Sequence, residues 1–540
     1  MTEYVLTAID TTQIQGYVFG SNKLMENIGG SELVEMATHG WVYEALPAVN
    51  NLVDARTGAL DVGHTIDSLD AELIYAGGGN TVILFKTLEL AHQFTSRLTR
   101  RVLRDAPGLE LVVAHRRFDW DKDALAEVVS TTLAVDLARK KQNRVPSMPL
   151  LGLGVTMPCS STGLVASQVI NKQPVSQDII AKSDLLVQDR GHSRLKEKMP
   201  RVEAGQWEIP RDLDQLGRHK GEESYIAVVH ADGNGMGKRV EAIAARYNTP
   251  EQNRDYINGI RGFSRALEEA ATKALASVVD LMADAFSADP ELANHHRNRF
   301  PLRPIVFGGD DVTFVCHGSY GLSLAVRYLE AFEKATTEEP AFGGVPAYAC
   351  AGVALVKTHY PFARAYRLSE QLCRSAKRML KENRIEGSAL DWHVAISGIA
   401  GSLEEIRHRE YSVREGQLNM RPVLLHQPAS IWRTWPVFKK IIDEFVDEDG
   451  EWFNRRNKVK ALREALRGGI DAVIDFRRTY QLDTLPRMGP EIVRGYQDTG
   501  WADGRCVYFD AIEMMDLYTD LHEHQAVRAD SDQEVEYASL

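Results

Sequence analysis

Val306-Phe307-Gly308-Gly309-Asp310-Asp311-Val312 lies between two short apolar, β-rich runs, residues 303–307 and 312–316, and reads as the tip of a β-hairpin. Adjacent carboxylates at such a tip repel each other unless a cation sits between them, and the same pair then supplies hard oxygen ligands suited to Mg²⁺ or Mn²⁺. Gly308 and Gly309 leave room for a nucleotide to approach the backbone. Gly and Asp are also ordinary turn residues, so the tip alone decides little. A second acidic residue changes its weight: Asp232 ends the β-rich run 224–230 and is followed by Gly233-Asn234-Gly235-Met236-Gly237-Lys238. That turn is too short for a P-loop, and Arg239 stands where a metal-binding Ser or Thr would be. Together with the next helix N-terminus it offers backbone N–H groups to phosphate oxygens.

Outward from the hairpin, hydrophobic periods predict a helix over 261–286, a helix over 319–336, a strand over 347–356 and a helix over 361–383. Upstream the same order occurs once already, with strands at 4–9, 72–85 and 109–115 and helices at 31–48, 88–105 and 124–142. Strand, helix, two strands, helix, strand is the ferredoxin-like arrangement, here with a terminal helix. In such a sheet we expect Asp232 on a strand beside the one leading into the hairpin, so that Asp232, Asp310 and Asp311 converge. That arrangement suits two-metal phosphoryl transfer. Residues 75–85 align with 306–316, which puts Gly79 and Asn80 in the places of Asp310 and Asp311 and leaves Asp10 as the first copy's one carboxylate. Ala138-Arg139-Lys140-Lys141 likewise resembles Ala376-Lys377-Arg378.

The expected class is therefore α+β: tandem ferredoxin-like domains at 1–150 and 223–398, a connector at 151–222, and a helical C-terminal domain at 399–540. Within the last, helices are expected at 431–445, 458–480 and 510–521, before an acidic tail at 529–540. Residues 187–223, rich in charge, Gly and Pro, read as a linker. A net charge of −12 argues against non-specific coating of nucleic acid. No apolar run reaches a membrane span's length, and the opening residues lack a basic export-signal region, so a cytoplasmic protein is expected. Cys159, Cys316, Cys350, Cys373 and Cys506 form no C-x-x-C, which argues against a disulfide framework or zinc ribbon. His192, His295, His296, His522 and His524 read as surface histidines, and the basic runs 139–144 and 190–198 as solvated faces or the lining of an RNA or regulator channel.

The run 225–238, the Gly-Gly-Asp-Asp hairpin, Ala351-Gly352-Val353-Ala354-Leu355-Val356-Lys357 and Ser375-Ala376-Lys377 occur in an order that resembles the second palm domain of the CRISPR polymerase family. That family is the large subunit of type III CRISPR effector complexes and is related to GGDEF-type nucleotidyl cyclases. The resemblance implies that Asp232, Asp310 and Asp311 bind two Mg²⁺ or Mn²⁺ ions and carry catalysis. It implies nucleotide contacts from Gly233, Asn234, Gly235, Gly308, Gly309 and Lys377, and joining of ATP into cyclic oligoadenylates with release of pyrophosphate in antiviral defence. Residues 10–31 resemble the family's first palm, expected here to cradle a second nucleotide. No His-Asp dipeptide occurs, so the HD nuclease and its DNA cleavage are not expected. The stretch 157–166 resembles the family's zinc finger with Cys159 as its one cysteine, so no zinc is expected. Guide RNA, other CRISPR subunits and further copies of the chain are candidate partners. Two other readings are a non-catalytic nucleotide-binding scaffold of a CRISPR complex and a stand-alone signalling cyclase with a mono- or dinucleotide product.

Overall fold

The computed structural model describes residues 2–143, 154–217, 224–395, 401–426, 431–446, 452, 455–488 and 495–521. Two sheets share one plan. In the first, β1 (Glu3–Thr12), β2 (Ala71–Gly77), β3 (Asn80–Phe85) and β4 (Glu110–Asp119) lie in the antiparallel order β2-β3-β1-β4. In the second, β5 (Tyr225–Gly233), β6 (Leu302–Gly308), β7 (Asp311–His317) and β8 (Ala349–Lys357) repeat it as β6-β7-β5-β8. The chain adopts the expected α+β class, with one correction. The strand carrying Asp232 lies beside β7, which leaves the hairpin, and not beside β6, which enters it. Each strand-helix-strand crossover spans a neighbouring strand, so the first strand is enclosed by the third and fourth. The second sheet is widened by β9 (Ala389–Ala395), parallel to β8, and β10 (Val423–Leu424).

Helices cover both faces of the second sheet, which is why β5 reads as an almost unbroken apolar run. Tyr225, Ala227, Val229 and Ala231 face α5 (Asn253–Ala288) and α6 (Gly321–Glu338), whereas Ile226 and Val228 face α7 (Phe362–Asn383). Before α5 runs the shorter α4 (Met236–Arg246). Gly352 on β8 lets α7 rest directly on the sheet, since a Cβ there would collide with the Ser369 carbonyl and the Cys373 amide.

The two palms are clasped by elements that cross between them. From the first palm, Phe19 and α1 (Leu24–Thr38) send Phe19, Leu24 and Ile28 into the second palm's core. From the second, α5 begins at Asn253 rather than near 261, because Tyr256, Ile257 and Ile260 are buried in the first palm's core. Asn253 Nδ2 donates to the Trp120 and Asp123 carbonyls, and Arg254 and Arg261 both pair with Glu72 of β2, whose side chain is fully buried. The basic run 190–198 is a solvated face in part only. It belongs to α3 (Leu185–Lys198), where Arg190 and Arg194 pair with Glu32 of α1, a side chain 1% exposed.

Other boundaries move for local reasons. The helix expected over 31–48 is α1, ending at Thr38, followed after a break at His39 by Gly40–Ala45. Residues 88–105 form α2 (Leu88–Asp105) as expected, capped by Thr87. The helix over 125–142 contains a π-helical segment, Thr132–Leu137. Gly468 and Gly469 split 458–480, so that α8 (Trp435–Val446), α9 (Arg456–Arg467) and α10 (Ile470–Thr479) follow the palms, and the last described helix ends at Met514. These helices share the second palm's core, with Trp392 of β9 packed on Phe438 of α8 at 4.7 Å between ring centres. The C-terminal region also holds a small four-stranded sheet of two-residue strands. His296 is buried and bonded to Tyr320 Oη at 2.9 Å, and His192 is half-buried, so neither is the surface histidine expected. Cys159 is buried. Arg144, His522, His524 and the tail 529–540 lie outside the described residues. Among the described residues no helix is long and apolar enough to cross a membrane.

Gly352→Val is expected to lower stability by about 2–3 kcal/mol, the usual penalty for overpacking, or to prevent folding. Gly262→Ala, on α5 with open space around the added methyl group, is expected to raise it by up to about 1 kcal/mol. Urea midpoints of the two variants check this contrast.

Candidate active site

β5 and β7 end side by side, and their register places Asp232 directly opposite Asp311. Gly308 pairs with Asp311 to close the hairpin, with Gly309 in a left-handed conformation (φ 63°) at its tip. Asp310 is drawn over the end of β5: its carbonyl accepts from the Gly233 N–H at 3.1 Å, and a Cβ on residue 233 would lie 2.8 Å from the Asp310 Cβ. Gly233 is therefore required by close approach. All three predicted carboxylates come together at one corner of the sheet.

That corner is short of positive charge. Burial raises the pKa of Asp310, and the Asp232 and Asp311 charges raise it further, so that it is pushed up to about 6 against the pull of Lys377. Lys377, projecting from α7, donates to Asp232 Oδ2 at 2.7 Å and to the Gly233 carbonyl at 2.8 Å. Burial would lower its pKa, but the Asp232 charge and hydrogen bond outweigh that and hold it raised. His230, buried two residues before Asp232, places Nδ1 3.3 Å from Asp311 Oδ1 and 3.2 Å from Thr313 Oγ1. Burial works against the imidazolium, yet the Asp311 carboxylate beside it prevails, and the pKa of His230 is raised.

The remaining predicted residues fall into two groups. Gly233, Gly308 and Gly309 shape the corner, and Gly235 (φ 69°) caps α4, whose first N–H groups are free of side-chain caps. Asn234 instead turns into the protein. Its Nδ2 donates to the Gly387 carbonyl at 3.2 Å, and its Oδ1 is buried without a partner.

The first palm repeats the arrangement with fewer charges. Asp10 pairs opposite Asn80, and the Thr11 N–H donates to the Gly79 carbonyl at 2.9 Å as the Gly233 N–H does to Asp310. Lys141 forms an ion pair with Asp10, as Lys377 does with Asp232. The two hairpins meet tip to tip, since a Cβ on Gly309 would lie 3.8 Å from Gly78 Cα. On the other flank of the second hairpin, Arg194 of α3 lies over the Phe307 ring at 4.5 Å. Lys141 stood out in the sequence only as part of a basic run, and His230 not at all. For His230 the signal was present, because alternation along a strand puts residue 230 on the same face as Asp232.

Among the described residues, no group of three or more His, Cys, Asp or Glu is arranged to hold a metal ion as it stands. Lys377 occupies Asp232 as a cation would. The donor set nonetheless fits a hard divalent ion. Asp311 Oδ1 is buried, with His230 too poorly aligned to satisfy it, and Asp310 resists ionisation for want of nearby positive charge.

The two sheets share one strand order, and only the second carries a hairpin with adjacent carboxylates. Residues 225–386 match the family model for Cas10/Cmr2, second palm domain. No curated protein matches the chain in sequence. Among solved structures, a Csm1–Csm4 cassette in complex with pppApApA is 13% identical, with 95% of this chain and 69% of that chain covered and a TM-score of 0.51. The cassette in complex with cA4 is 13% identical over 96% and 70% of the two chains, with a TM-score of 0.49. For the cassette with cA3 the values are 12%, 76%, 58% and 0.42, so the chain spans less than two thirds of that protein's length. At such identities the first of these likenesses is one of fold.

The raised pKa of Asp310 has a signed consequence. Its proton is held more tightly in the folded chain than at the ordinary carboxylate value of 3.8, so stability falls as pH rises from about 4 to about 6 and stays lower above. In EDTA at pH 7.5, Asp310→Asn is expected to be more stable than the unaltered chain by up to about 3 kcal/mol, with no gain below about pH 4. Urea unfolding at the two pH values measures it.

Proposed function

We propose that the chain is a metal-dependent nucleotidyl transferase that joins ATP into cyclic oligoadenylates, releasing pyrophosphate, in CRISPR-type antiviral defence. The observation that carries this reading is the convergence of Asp232, Asp310 and Asp311 at adjacent strand ends of a Cas10/Cmr2-type palm. Asp232, Asp310 and Asp311 would hold Mg²⁺ or Mn²⁺. Such ions, when bound, supply positive charge to the triphosphate and lower the pKa of an attacking 3′-hydroxyl.

The chain's own groups divide the remaining work. Lys377 serves as counter-charge to the carboxylates and as a hydrogen-bond donor to phosphate. The N-terminus of α4, opened by Gly235, directs N–H groups toward the same oxygens. The first palm, with Asp10 already neutralised by Lys141 and its hairpin tip against Gly309, holds the acceptor nucleotide without a carboxylate cluster of its own. Solved structures named as Csm1–Csm4 cassettes with pppApApA and cA4 support adenylate oligomers as the ligand class, and a CRISPR complex subunit as the kind of partner.

Purified protein incubated with ATP and Mg²⁺ or Mn²⁺, with and without RNA, is expected to yield cyclic adenylate products by liquid chromatography and mass spectrometry. EDTA should abolish them, and Asp310→Ala with Asp311→Ala should cut turnover by at least about 100-fold, the scale on which preorganised charge stabilisation is lost. Undiminished turnover in the double variant would sink the assignment. ATP binding without turnover under every condition would make the chain a nucleotide-binding scaffold.

A further inference from the structure

Along the α7-facing side of β5, the inward positions run Ile226, Val228, His230, Asp232. A packing role alone would be met by a third aliphatic residue, because a buried imidazole in an apolar row costs free energy unless its N–H groups are bonded. His230 is 4% exposed, and its Nδ1 faces Asp311 Oδ1. Nδ1 lies 3.2 Å from Thr313 Oγ1, within hydrogen-bond reach, and 3.3 Å from Asp311 Oδ1, a close approach that holds the ring against the carboxylate while leaving that oxygen without a hydrogen bond. The rest of the ring is fixed by Tyr366 of α7, which meets it edge to face at 5.6 Å and 75°. Tyr366 is held in turn by Phe19 of the first palm, stacked on it at 3.8 Å and 21°. Three rings thus link the first palm's opening segment to one carboxylate of the second palm's hairpin.

Resting on the metal-dependent reading above, we propose that His230 is a positioning residue that fixes the Asp311 carboxylate for a divalent cation, and that Phe19 and Tyr366 set its orientation from the first palm. Groups that orient metal ligands in this way typically govern affinity by about 10–100-fold. Phe19 stands two rings away from Asp311, so its influence would pass through Tyr366 and His230.

The test is Mn²⁺ titration of the full chain by electron paramagnetic resonance, with thermal unfolding confirming that each variant is folded. His230→Leu, apolar in an apolar row, is expected to fold and to bind Mn²⁺ about 10-fold more weakly. His230→Asn places an amide N–H near the former Nδ1 and should recover most of that loss. Phe19→Leu keeps the apolar volume but removes the stack, and should weaken binding in the same direction by less. Wild-type affinity in His230→Leu, or equal weakness in His230→Leu and His230→Asn, overturns the positioning role while leaving the metal site standing. Wild-type affinity in Phe19→Leu overturns the link to the first palm. Failure of the unaltered chain to bind Mn²⁺, with Asp311→Asn as the non-binding control, overturns the metal reading and this proposal together.

Discussion

Carboxylates on neighbouring strand ends repel, and much of the second palm's local structure is an answer to that repulsion. Asp232 and Asp311 face each other across one pair of strands, and the backbone of Asp310 is fastened to Gly233, which sets its side chain over the end of β5. Lys377 relieves Asp232, His230 meets Asp311, and Asp310 is left with burial and two like charges. In the first palm the equivalent strand ends carry one carboxylate, Asp10, and one lysine is enough to balance it. The two copies differ in electrostatic demand while keeping one backbone plan.

The juxtaposition of the hairpins depends on two further buried acids. Glu72 of the first palm is met by Arg254 and Arg261 from the second, and Glu32 of the first by Arg190 and Arg194 from the connector. Buried ion pairs of this kind contribute little net stability against an apolar replacement, but removing one partner is severe. Their effect here is to fix which surfaces meet. Tip-to-tip hairpins follow from that choice.

The candidate site was largely legible in the sequence, and so was the helix 88–105, because both depend on local signals. The Gly-Gly-Asp-Asp tip names its own turn, and Thr87 caps a helix with a regular apolar period. What escaped was decided by distant contacts. Nothing near residue 253 announces that α5 starts there, since Tyr256, Ile257 and Ile260 are helical in order to fill the other palm's core. The basic residues of α3 look solvated until Glu32 is found opposite them. β10, two residues long, is a strand only because β9 offers it an edge. The order of strands around Asp232 was misjudged for a related reason, because topology depends on how crossovers interleave and not on any residue in the hairpin.

The 36-residue helix α5 is a rod of about 54 Å at 1.5 Å per residue, rooted at one end in the first palm and at the other in the second. A rod shared by both cores ties the two sheets to one element, so that a change in its length or register would displace one hairpin tip relative to the other.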